Sequence, residues 1–584
     1  MKKLLLASLL LTFLMPAWCK TKPLNENTDP IMKTMEQEVA RSMKKLKKAN
    51  PPVYFLSYQI TFNDYFTLSS YLGETGRAVR LSGSLLDTEA RVGNRHMDNT
   101  RKIKSVDFSQ TYTKNRDEIY TPLDGNIKNL KEILWINTEE AVKQAQEEYY
   151  RVKINSQTAA ARSDNSDDFS APINPPARAY QSLEPLKIDE AALTKQLNGY
   201  SALFKGYPFI YSSSVMLTTE TNNIYFANSE GTAIKKAQTL LRLSYVLTSR
   251  NKDGMEVTRG NSYDALDMAG LPPSSKVEAD IANSIQELKA LQNATAAEPF
   301  HGPAILKNRA AGVFFHEILG HRVEGHRQKD DDFGQTFTKK LNEQIMSPII
   351  SVYDNPNLAA FKNIPLRGHY TYDDEGVRAQ DVTIIKDGVL KGFLMSRSPI
   401  KNFPQSNGHG RKEPGRTVVA RMGVTMVKAK ETVPYATLKQ LLVEEIKKQG
   451  KPYGLVIDDI SGGFTNTDTF SPQSFKVQAL LVYKVYPDGR PDEIIRGADI
   501  VGTPLTSFNK IIAAADDDDV FNGSCGAESG WVPVSAISPS LLISELEIEN
   551  VGKSYDNLPL LPPPSSNNPK TEPAAAKTTQ KGGK

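Results

Sequence analysis

The stretch Phe314-Phe315-His316-Glu317-Ile318-Leu319-Gly320-His321-Arg322-Val323-Glu324-Gly325-His326 carries three of the chain's seven histidines. Its core is His316-Glu317 followed, after three residues, by His321. A familiar metal-peptidase helix has two residues in that gap, which puts both imidazoles on one face at i and i+4. Here the second histidine falls at i+5, and on a regular helix those positions diverge by about 140°. Two local changes bring them together. One is a single-residue π-bulge; the other is an end to the helix near Gly320, freeing His321 to swing. The apolar lead-in from Ala310 to Phe315 predicts a buried helix over 304–326 rather than a solvated polar face. The expected metal is zinc, one per chain, because three protein ligands plus a water make its catalytic pattern. Glu317, beside the first ligand, is the expected general base toward that water.

Two histidines leave the set one ligand short. His326, Glu324, His301, His369, His409 and Cys525 are all chemically able to complete it. Cys525 sits in Asn522-Gly523-Ser524-Cys525-Gly526, where glycines let the backbone come close to an ion. A His₂Cys set has precedent in catalytic zinc. It carries one positive charge fewer than three histidines would, and is the weaker Lewis acid.

Working outward, 584 residues with 39% hydrophobic and 24% charged content make an ordinary globular chain. Collagen-like, coiled-coil and wholly disordered classes are excluded. Net charge is 71 − 67 = +4, too balanced to suggest a nucleic-acid partner. Two cysteines, Cys19 and Cys525, exclude a disulfide framework. Residues 1–19 have a Lys2-Lys3 start, an apolar run and small residues at Ala17 and Cys19, the pattern of a cleaved secretory signal. The expectation is an exported chain, periplasmic or extracellular, with no membrane span after cleavage. Residues 556–584, rich in Pro, Ser, Asn, Lys and Ala, read as a disordered tail.

Between the ends the expected class is α+β: an α/β domain over 20–298, then a β-rich domain over 299–555. Helices are expected over 31–49, over 138–154 with Asn137 as its cap, and over 277–291. Strands are expected through 53–125 and 209–249, and an exposed loop over about 157–177. Asp387-Gly388 between two apolar runs predicts a hairpin, as does Pro487-Asp488-Gly489. The acidic run Asp516–Asp519 lacks the alternate spacing of a calcium loop and reads as a solvated turn.

The region from His316 to Gly325 resembles the TldD/PmbA family of zinc metallopeptidases, in its metal-bearing branch. The resemblance continues through Asp373-Asp374-Glu375-Gly376, Asp387–Gly392, Asn407-Gly408-His409-Gly410-Arg411 and Ser461-Gly462-Gly463. It ends at Cys525-Gly526, Val532-Pro533-Val534 and Pro539-Ser540-Leu541. It implies dimers enclosing a cavity, within which unfolded or small modified peptides are hydrolysed. It implies His316, His321 and Cys525 as zinc ligands and Glu317 as general base. It puts Ser461, Gly462 and Gly463 beside the peptide, with His409 and Arg411 as further substrate contacts. Lys412, Val424 and His326 depart from the family's usual residues.

The leading expectation is therefore an exported zinc peptidase acting on peptides or unfolded protein, as a homodimer or with a related subunit. Two other readings share its residues: a non-catalytic subunit of a paired complex, and a hydrolase of non-protein amides. A pure scaffold has no use for Glu317 beside a ligand.

Overall fold

Alternation of apolar and polar residues along strands of 17 to 19 residues shapes the N-terminal half. In Val53–Tyr71 the residues Leu56, Tyr58, Ile60, Phe66 and Leu68 share one face and are buried, while Thr61, Asn63 and Tyr65 look the other way. The hairpin to Glu74–Val92 turns at Leu72-Gly73, both at positive φ, the backbone a two-residue turn needs. The sheet runs Thr121–Pro122, Glu74–Val92, Val53–Tyr71, Ser212–Asn228, Ala233–Arg250, Arg178–Tyr180, with Glu256–Ala265 also on Ala233–Arg250. Its pairings are antiparallel except for Arg178–Tyr180, which runs parallel to Ala233–Arg250.

One apolar face supports two cores. Pro30–Leu46 and Leu130–Thr158 cover Tyr58, Ile60 and Leu86. Glu190–Ala202 and Ser274–Asn293 cover Phe66, Leu217 and Leu243. Each such side chain contributes roughly 1.5–3 kcal/mol through burial. The polar face meets the C-terminal half. Lys236 Nζ donates to the carbonyls of Tyr372 and Asp373 and to Asp374, and Gln238 Nε2 to the carbonyls of Arg367 and His369.

In the C-terminal half one sheet closes on itself. Gly454–Thr465, Phe300–Leu306, Leu541–Asn550, Ala498–Gly502 and Phe475–Val485 pair in that order, and Phe475–Val485 returns to Gly454–Thr465. A six-stranded sheet stands opposite, ending in Val424–Ala429, Gly530–Ser538 and Asp519–Ala527. The helix Asn308–Ile318 is packed against strands of both. Gly312 permits this: a Cβ there would lie 3.2 Å from that of Ala536.

The structure is a computed structural model and describes residues 29–103, 121–122, 129–158, 164–329, 333, 335–469, 474–503 and 507–551. The signal reading of 1–19 and the tail at 556–584 lie outside these. The α+β class is observed, as are both expected hairpins; Asp387 and Gly388 have φ of 48° and 80°.

Several local expectations need correction. The helix expected over 304–326 is a strand, Phe300–Leu306, then the helix Asn308–Ile318, a 3₁₀ turn Gly320–Val323 and the short helix His326–Lys329. The helix expected at 138 begins at Leu130, so Asn137 is interior and donates to the Ile133 carbonyl instead of capping. The segment expected as an exposed loop is buried where it crosses Asp168, Phe169 and Ser170. Phe169 lies between two guanidinium groups, Arg91 at 3.8 Å and Arg397 at 3.9 Å from its ring centre. Stacking of this kind offsets the cost of placing cations inside the protein. A helix absent from the sequence reading, Tyr435–Lys448, covers the outside of the closed sheet through Leu438, Leu442 and Ile446.

Candidate metal centre

The helix Asn308–Ile318 is apolar nearly all round, with Ala310 through Ile318 all buried, so His316 and Glu317 at its end are carried inside. The helix then stops. Leu319 turns away at φ −110° and the chain continues as the 3₁₀ turn Gly320–Val323. This is the second of the two local changes, a helix end rather than a bulge. Gly320 suits this turn, since a Cβ there would overlap Met422 Sδ and force that side chain to move. The altered path returns His321 to His316, their rings edge to face with centres 5.1 Å apart.

Cys525 closes the set from the other sheet. It lies on Asp519–Ala527 opposite Val532. Its Sγ is 3.1 Å from His316 Nε2 and 3.3 Å from His321 Nε2. The three donor atoms fall within 4.8 Å of one another, on buried residues. Burial alone pushes the thiol up, but His321 and His316 override it and hold Cys525 well below its ordinary value. Two ring nitrogens facing one thiolate form a donor set that suits zinc.

Charged groups around this set hold it in place. His321 Nδ1 lies 3.3 Å from the Glu324 carboxylate, which orients the ring so that Nε2 faces Cys525. Glu324 accepts in turn from Arg327 Nε at 2.9 Å. Burial pushes its carboxyl up, but His321 and Arg327 bring it down to about 2. Arg421, wholly buried, donates to the Cys525 carbonyl at 2.7 Å and to Ser529 Oγ at 2.7 Å. His326 and Arg327 both bond Glu528, tying down the hairpin that bears Cys525.

Glu317 is different. Its carboxylate makes no hydrogen bond among the described residues and lines an open cleft of about 1180 Å³ with His316, His321 and Cys525. Burial raises its pKa against the pull of both histidines. Gly463 is pressed against it: a Cβ at 463 would lie 2.7 Å from Glu317 Cγ. Ser461 and Gly462 line the same cleft. Phe300–Leu306 pairs with Gly454–Thr465 only at Leu455–Ile457. Residues 459–465 therefore have one side without a strand partner among the described residues. Asp519–Ala527, the last strand of its sheet, lines the cleft too.

Two residues expected to contact substrate do not line this cleft. His409 is wholly buried, with Nε2 3.2 Å from Asp354 Oδ1 and Nδ1 against Asn407, and is not on the cleft. Arg411 donates to the Met422 carbonyl, rests on Tyr370, and borders a separate cavity of about 1150 Å³. The other candidate third ligands are also accounted for. His326 bonds Glu528, His369 Nδ1 faces the Pro356 carbonyl, and His301 is exposed near Glu545. The acidic run is partly tied in, with Asp517 accepting from Ser540. Sequence reading missed Arg421, whose only signal was a lone cation inside the apolar run Val418–Val424.

Residues 300–550 match the family model described as PmbA/TldA metallopeptidase C-terminal domain. A metalloprotease of Archaeoglobus fulgidus is 30% identical over 259 residues, 44% of this chain and 55% of that one. A zinc metalloprotease TldD homolog of Saccharolobus solfataricus is 28% identical over 248 residues, 42% of this chain and 51% of that one. The chain thus spans about half the length of these curated relatives. The crystal structure of TldE from Thermococcus kodakarensis superposes with a TM-score of 0.57 at 15% identity, covering 88% of this chain and 100% of that one. It shares the fold across both halves. With its motifs from His316 to Leu541 inside the matched region, the C-terminal part of the chain is similar to the metallopeptidase C-terminal domain of the PmbA/TldA family.

Proposed function

We propose that this chain is an exported zinc-dependent peptidase that cleaves unfolded or small peptides within a dimer cavity. The observation that carries the reading is the free carboxylate of Glu317 beside three converged donors, facing a cleft bordered by an unpaired strand edge. The names of the metalloprotease relatives support the reaction class.

His316 and His321 through Nε2, and Cys525 through Sγ, would hold the ion. Zinc supplies Lewis acidity and a water ionisable near neutral pH. The edge at 459–465 aligns an extended peptide by main-chain hydrogen bonds, which gives a loose side-chain preference. Gly462 and Gly463 leave the middle of that edge without side chains. Glu317 takes the proton of the attacking water at its carboxylate and passes it to the leaving amine. Burial of Glu317 brings its basicity nearer the working pH.

The partner is a second copy or a related subunit, in keeping with the TldE-like fold. Export rests on the pattern of residues 1–19. The test is cleavage of an unfolded protein by the wild type and by Glu317→Ala, with bound metal quantified in both. The reading expects one zinc per chain in each and cleavage only by the wild type. A wild type that holds zinc and cleaves nothing favours a non-catalytic subunit or a narrower amide substrate.

A further inference from the structure

The cleft holds a cation that the proposed chemistry leaves unused. Arg309 stands on the helix Asn308–Ile318 seven residues before His316. Seven residues are close to two turns, so both side chains lie along one face, about 10 Å apart on the axis. Val313 falls between them, and all three line the cleft.

The other cations of the cleft are engaged. Arg242 pairs with Asp264 and also bonds the Asn522 carbonyl. Arg327 is held by Glu324 and Glu528. The Arg309 guanidinium has no acid or hydrogen-bond acceptor among the described residues, and its Nε is buried without a partner. A half-buried cation left unpaired costs free energy, because it has lost solvent and gained no counter-charge. The missing partner is best supplied by something that enters the cleft. A planar guanidinium selects carboxylates, which it grips with two parallel hydrogen bonds.

We propose that Arg309 is a specificity residue that receives a carboxylate of the bound peptide. An extended chain advances about 3.3 Å per residue, so that carboxylate lies three to five residues from the bond at His316. The C-terminal carboxylate of a short peptide, or an Asp or Glu side chain at that distance, supplies it. The inference takes the ligand's identity as a peptide from the peptidase reading.

The test is binding, measured in the zinc-loaded full chain carrying Glu317→Gln so that nothing is cleaved. The probes are three fluorescein-labelled unstructured octapeptides: one with a free C-terminal carboxylate, its amide, and an amide with glutamate third from the end. The free acid, the glutamate amide or both are expected to bind at least tenfold more tightly than the plain amide. Arg309→Met removes that difference and Arg309→Lys keeps part of it, which separates lost charge from lost folding. Tight binding of the glutamate amide marks a side-chain source; weak binding marks the C-terminus. Equal binding of all three peptides, binding of none, or a preference that survives Arg309→Met overturns the proposal. Cleavage of an unfolded protein by the wild type is assayed alongside. Cleavage without a carboxylate preference sinks this inference alone, whereas a preference without cleavage sinks the peptidase reading alone.

Discussion

Nδ1 of His321 lies 3.3 Å from the carboxylate of Glu324, three residues along the same chain. That contact selects the ring orientation that presents Nε2 to Cys525. Replacing Glu324 with glutamine keeps the shape and removes the charge. Metal affinity is expected to fall 10- to 100-fold, the usual effect of losing a partner that orients a ligand. Competition with a chromophoric chelator measures it, and an unchanged affinity in a folded variant refutes the role.

The relation between His321 and Glu324 shows what the sequence made legible. The pair His316–Glu317 and the return of His321 were readable from composition and spacing, because few residue types serve as metal ligands. The choice of a helix end over a bulge was not. It depends on Met422, which fills the space over Gly320 from a hundred residues away. The burial of His409 was hidden for the same reason, since it is held wholly inside by Asp354, 55 residues away in sequence. Arg309 passed unremarked because nothing local distinguishes a cation that has no partner from one that has. The long strands of the N-terminal half were legible through alternation. Burial of Phe169 was not, since its partners Arg91 and Arg397 are distant in sequence.

The overlap at Gly320 gives a second prediction. Gly320→Ala forces Met422 to move or the turn to open, and overpacking of this kind costs about 1–3 kcal/mol. The added Met422→Ala change makes room for the methyl group. The double variant is expected to bind metal more tightly than Gly320→Ala alone, although it lacks the methionine packing. A chelator titration of the single and double variants checks this; additive losses refute it.

Phe169 joins the two halves by stacking between Arg91 and Arg397, while Arg397 and Arg95 both reach Glu230. Phe169→Ala removes a fully buried ring and leaves two guanidinium groups facing a void. A loss of about 3–5 kcal/mol follows from truncating a buried Phe. Limited proteolysis is expected to nick the 164–177 segment in the variant and to spare it in the wild type. Equal resistance of both refutes the clamp.

Asp373 and Glu375 are buried together against Gly410, at which a Cβ would overlap Glu375 Oε2 and lie 3.1 Å from Asp373 Oδ2. Burial, and then the charge of Asp373, push Glu375 up to about 8; burial also raises Asp373. The folded pair keeps a proton that the unfolded chain releases near pH 4.5. Protons bound by the folded state exceed those of the unfolded state from about pH 3.8 to about pH 8. This contribution to stability is complete below about pH 3.8 and is lost as pH rises from there to about 8, at no more than about 1.4 kcal/mol per pH unit for each of the two raised carboxyls. Arg397, which donates its backbone N–H to Glu375, and Arg91 oppose the shift without cancelling it. Glu375→Gln is neutral at every pH, so its stability relative to the wild type is expected to improve from pH 5 to pH 8. Urea unfolding at pH 5, 6.5 and 8 measures the difference, and a constant offset between the two proteins refutes the shared proton.

The Cys525 thiol supplies the last prediction, through metal removal. His321 and His316 hold it as a thiolate against the effect of burial, so the metal-free chain keeps a nucleophilic sulfur at neutral pH. A zinc ion on Sγ would withdraw its negative charge and shield it, lowering its reactivity toward an alkylating reagent. Iodoacetamide is therefore expected to modify Cys525 in the chelator-treated protein at pH 7 and to spare it after zinc is restored, as read by peptide mass mapping. His321→Ala removes the principal group that lowers the thiol pKa, and slows alkylation of the metal-free chain at pH 7. Zinc that fails to protect Cys525 refutes its place as the third ligand, whatever the activity of the protein.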